Sequence, residues 1–153
     1  MRSEMRSVSV AVVLSALSLL YVGPTAWGLA DSPAALASLQ DKADQARPKD
    51  RCFLYAELVS QMTDRAGQQF NSGDSVQGSK SLELVQLYAD RIQMGVVDDS
   101  RKLKNAETLI QRTVFRLKNI LHEASFEDRP VLEATLKQLN QLQTRLMIQV
   151  FKK

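Results

Sequence analysis

The sequence predicts an all-α protein: an antiparallel bundle of four long helices plus a short N-terminal helix, after a signal peptide. Three observations carry that expectation. Apolar residues recur at i, i+3, i+4 spacing through four stretches of about twenty residues each, which gathers them on one helix face. Pro, Gly, Ser and Asp stand at the ends of those stretches, where helices start and stop. No stretch alternates apolar and polar residues as a half-buried strand does.

Residues 1–30 read as an address. Arg2 and Arg6 precede an apolar run from Val8 to Val22. Gly23 and Pro24 end it, and Gly28, Leu29 and Ala30 supply a small-x-small cleavage site. This is the order of a secretory signal, and the run is shorter than the ~20 residues a membrane-spanning helix needs. A retained N-terminal anchor is the alternative. No Cys stands just after the run to take a lipid, and the chain has no N-x-S/T sequon, so bacterial export to the periplasm or beyond is expected. Residues 31–153 then form a single helical-bundle domain with no transmembrane segment. A chain of that length buries about two-thirds of its unfolded surface, enough for a real core.

Within the domain, Ser32-Pro33 opens a short helix by cap and proline, with Leu36, Leu39, Ala43 and Ala46 on one face. Pro48 breaks the pattern. Asp50 is placed to cap a second helix carrying Cys52, Tyr55, Val59, Met62, Ala66 and Phe70. Residues 71–74 supply a glycine stop and a new cap. The third helix spans about Ser75 to Met94. Its apolar arc is wide, with Leu82, Leu84, Val85, Leu87, Tyr88, Ala89 and Ile92, which implies two or more neighbours. The fourth spans about Arg101 to Glu123 on Leu103, Ala106, Ile110, Val114, Leu117 and Leu121. Asp128 is placed to cap the last helix, with Leu132, Leu136, Leu139, Leu142, Leu146 and Val150 in its stripe. Connections of four to six residues favour antiparallel neighbours, an up-down bundle with the short helix packed across it.

Two resemblances accompany this reading. ARPKDRCFLYAELV (residues 46–59) and SFEDRP (residues 125–130) resemble segments of uncharacterised exported all-helical bacterial proteins, a family with no assigned activity. That resemblance implies export and a helical domain, and carries over no catalytic residue. Met62, Ala66, Phe70, Gly73, Asp74 and Gly78 are similar in spacing to the helix–turn–helix of a tetratricopeptide repeat. Only one such unit is visible, whereas stacked repeats need about three.

Composition excludes several chemistries. One Cys rules out an intramolecular disulfide framework and multi-Cys metal sites, and one His rules out motifs that need two. His122-Glu123 is not followed by a second His. At its helix end, His122 complements the helix dipole. Pairing it with Met62 as haem ligands conflicts with Met62's place in a core stripe. Cys52 lies on a buried stripe, a structural thiol unless it bridges two chains. The carboxylate pairs Asp98-Asp99 and Glu127-Asp128 sit at helix starts, where acids meet free N–H groups. No phosphate loop, nucleophile elbow or dinucleotide fingerprint occurs. A non-enzymatic protein with no cofactor and no metal is expected.

Charge is the remaining signal. Residues 31–97 carry a net −2 and residues 98–153 a net +4. Arg101, Lys102, Lys104, Arg112 and Arg116 fall opposite the leucine stripe of the fourth helix, and Phe115 falls between Lys104 and Arg112 around it. Such a strip suits a protein partner or an anionic envelope surface, unless the last helix covers Phe115. Nucleic acid is the wrong compartment. A small-molecule or cofactor carrier using the bundle interior, and a tetratricopeptide-like scaffold, are the alternative readings.

Overall fold

The computed structural model describes residues 32–95 and 102–152. Five helices follow in order: α1 (Pro33–Gln45), α2 (Pro48–Asn71), α3 (Ser75–Gly95), α4 (Leu103–Glu123) and α5 (Arg129–Phe151). Among the described residues there is no strand. The protein is an all-α bundle of four long helices and one shorter N-terminal helix. The signal reading and the Asp98-Asp99 pair lie outside the described residues.

The helix ends follow local chemistry with two departures. Ser32 caps α1, its hydroxyl accepting from the Ala35 N–H at 3.2 Å, with Pro33 in the first turn. Gly73 takes φ +81° between α2 and α3, a left-handed conformation that glycine adopts without a Cβ clash. The Asp74 carboxylate accepts from the Gln77 N–H at the start of α3. Asp50, expected as the α2 cap, instead lies in the first turn of a helix that begins at Pro48. A proline fits the first turn because that N–H would be unpaired anyway. Asp50 accepts from Arg47 at 3.0 Å and pairs with Lys102, just before α4. Asp128 stands at the α5 start but makes no side-chain cap bond. Its carboxylate is taken by the hydroxyls of Ser75 and Ser125, tying the α5 start to the α3 start.

Which helices touch was less legible. α2 pairs with α3 and α4 with α5, each antiparallel across a short turn. Between these hairpins the contacts are α2 with α4 and α3 with α5. Asp50–Lys102, Asp64–Arg116 and Gly67–Ile120 rise together in number along both segments, so α2 and α4 run parallel. Ser75–Asp128 and Gln86–Thr135 show the same for α3 and α5. α3 and α4 follow one another in sequence yet occupy opposite corners. The bundle is thus one hairpin laid on a second in the same orientation. Buried positions recur in step: Cys52, Tyr55, Val59, Thr63 and Ala66 on α2 answer Leu103, Ala106, Ile110, Val114 and Leu117 on α4.

α1 runs antiparallel along α2 rather than across the bundle. Tyr55 donates its hydroxyl proton to Asp44 and accepts from Arg91 at 2.9 Å, and Arg91 also bonds Asp44. Tyr88 donates to Gln40 at 2.8 Å and stacks on Tyr55. These side chains fasten α1 to α2 and α3.

The core is formed by the expected stripes, with Leu82, Ile92, Ile110, Leu117, Leu132, Leu139, Leu142 and Leu146 fully buried. Two parts of the wide α3 arc do not join it. Leu84 and Leu87 stay 39% and 45% exposed, because α5 and α2 cover only the other side of α3.

Candidate functional site

The basic strip on α4 divides into two kinds of residue. Lys104 and Arg112 are exposed, and Phe115 is 65% exposed, so α5 does not cover the ring. Arg101 lies outside the described residues. Arg116 belongs to the packing instead. α2 approaches α4 closely because Ser60 and Gly67 are small where the two helices meet; a Cβ on Gly67 would come within 2.9 Å of Ile120 Cδ1. Arg116 bridges that seam. Its guanidinium donates to both Asp64 oxygens and to Ser60 Oγ, while its Nε is buried without a partner among the described residues. A charge-assisted fork of this kind fixes geometry. Arg116 therefore leaves the strip, which consists of Lys104, Arg112 and Phe115.

A surface cleft of about 660 Å³ opens around Arg112 and Phe115, lined also by Leu109, Gln111, Ser60 and the Arg116 side chain that α2 holds. Phe115 and the half-buried Leu109 give the cleft an apolar wall beside the Arg112 side chain. The arrangement can seat an apolar group beside an anion.

The other candidates stay apart. Cys52 is buried at 3% exposure, and burial pushes its thiol up to about 11. A thiol held neutral is a poor nucleophile. His122 is exposed near the α4 end while Met62 is buried on α2, so the two share no pocket. Among the described residues, no group of three His, Cys, Asp or Glu could hold a metal ion. No described helix is long and apolar enough to cross a membrane.

Sequence reasoning missed the polar clasp of Asp44, Tyr55 and Arg91, whose members come from three helices. It also missed a groove between α1 and α3. No family model, curated protein or solved structure matches the chain.

Proposed function

We propose that this chain is an exported, non-enzymatic helical module that binds a protein or an anionic cell-envelope surface through the outer face of α4. The exposure of Phe115 between Lys104 and Arg112 carries the reading. The ring stands out in water, flanked by cations that no described carboxylate engages. Export is the expectation drawn from residues 1–30 and places the module in the periplasm or outside the cell.

The parallel stacking of two helical hairpins supports the scaffold reading as its architecture. Phe70 and Gly78 pack within one hairpin as a bulky and a small residue do in stacked helical repeats.

Charge reversal tests the site. Lys104→Glu with Arg112→Glu should abolish sedimentation with phosphatidylglycerol vesicles, or with any purified envelope partner, and Phe115→Ser should weaken it. Arg116 is left intact, since its loss disturbs packing. Undiminished binding by the charge-reversed protein would remove the α4 face from the account.

A further inference from the structure

The groove between α1 and α3 has a chemistry of its own. Its floor is α2, with Leu58 and Met62, and its walls carry Leu36 and Ala37 on one side and Leu84 on the other. The volume is about 390 Å³, at the small end of the ~300–1,000 Å³ typical of small-molecule sites. It exists because α1 pairs only with α2 and reaches α3 by side chains alone. The Tyr88–Gln40 hydrogen bond closes one end.

The opposite end is cationic. The Asp44–Tyr55 and Gln40–Tyr88 contacts set a register that brings Arg65 of α2 and Lys80 of α3 level with Pro33, at the start of α1. Neither cation makes a hydrogen bond or ion pair with another described residue. Among the described residues, no carboxylate lines the groove. The first turn of α1 holds no acidic residue, so the positive end of its dipole adds to the same field. Gln69 accepts from Ser81 through its carbonyl, which leaves its NH₂ as a further donor beside them.

We propose that this groove binds a free, single-chain amphiphile with a monoanionic head, such as a fatty carboxylate. The head is held by Arg65 and Lys80 at the α1 N-terminus, and the tail lies on Leu58, Met62, Leu36 and Leu84. The site is separate from the α4 face.

Calorimetric titration of the full chain with dodecanoate below its micelle concentration tests the assignment, with dodecanol as the neutral probe of equal length. Dodecanoate should saturate one site, and dodecanol should bind about tenfold more weakly or worse, the weight of a charge-assisted hydrogen bond. Arg65→Gln with Lys80→Gln should bring the two affinities together. Ala37→Trp and Leu84→Glu, both at exposed wall positions, should each block dodecanoate while leaving the helical circular dichroism unchanged. Sedimentation with phosphatidylglycerol vesicles should be unaltered by Arg65→Gln with Lys80→Gln. Equal binding of dodecanoate and dodecanol, no saturable dodecanoate binding, or unchanged affinity in either wall variant would overturn the proposal. Loss of vesicle binding in the Arg65/Lys80 variant would overturn it in favour of a bilayer headgroup.

Discussion

Phe70 lays its ring against the backbone of Gly78, so close that a Cβ there would come within 2.8 Å of ring carbons. The contact locks α2 to α3 just past the turn. Gly78→Ala should destabilise the protein by about 1–2 kcal/mol. The clash costs about 1–3 kcal/mol, and better helix propensity returns up to about 1 kcal/mol. Gly67→Ala meets Cδ1 and Cγ1 of the half-buried Ile120, which must shift to admit it, so after the propensity gain it should cost less than Gly78→Ala, about 0–1 kcal/mol. Urea unfolding of the two variants checks the contrast.

Arg116 and Arg112 stand one helical turn apart and should behave differently. Arg116→Ala strips Ser60 and Asp64 of a shared donor and should cost about 1–2 kcal/mol, a value reduced by the pair's partial exposure. Arg112→Ala should stay within about 0.5 kcal/mol. Equal losses in thermal unfolding would mean that Arg116 is not the tie between α2 and α4.

Leu139 is fully buried in the middle of α5 and Lys137 is exposed. Leu139→Ala should cost about 2–5 kcal/mol through lost burial and a cavity. Lys137→Ala should cost less than about 0.5 kcal/mol. Denaturant midpoints measure both.

Alkaline pH should weaken the fold. Burial raises the Cys52 thiol to about 11 from 9.0, and burial also raises the hydroxyls of Tyr55 and Tyr88. A group whose folded-state value is raised holds its proton longer folded than unfolded. Its contribution is complete below the unfolded value and is lost as pH climbs from about 9 toward 11. Melting temperature should therefore hold up to about pH 9 and fall between pH 9 and pH 11, and Cys52→Ala should soften that fall. Native protein should react with Ellman's reagent only as fast as it opens.

Processing has a spectroscopic signature. Trp27 is the only tryptophan and lies within the expected signal. Cleavage after Ala30 leaves Tyr55 and Tyr88 as the fluorophores and a mass beginning at Asp31. Tryptophan emission from soluble exported protein would refute that cleavage site, and full-length protein in membranes would refute cleavage.

Helix identity was legible because the signals that make a helix are local. The stripe from Leu132 to Leu146 repeats within one segment, and Ser32-Pro33 and Gly73-Asp74 mark ends through their own backbone chemistry. Two expected caps failed, because α2 begins earlier, at Pro48, and because hydroxyls outside α5 take the Asp128 carboxylate. Asp50 answers Arg47 and Lys102, and Asp128 answers two serines, so neither carboxylate closes a helix N-terminus.

By itself the sequence determined that the domain is helical, which face of each helix is apolar, and that Phe115 lies between Lys104 and Arg112 around α4. Tertiary structure decided which face meets which neighbour. Four residues separate Arg112 from Arg116, and the pattern placed both opposite the leucines. Only the approach of α2, permitted by Ser60 and Gly67, turns Arg116 into a strut and leaves Arg112 in water. The groove beside Arg65 and Lys80 likewise depends on where α1 comes to rest. Periodicity is a property of one segment, whereas a helix's neighbour is chosen by shape and charge on residues far away in the chain.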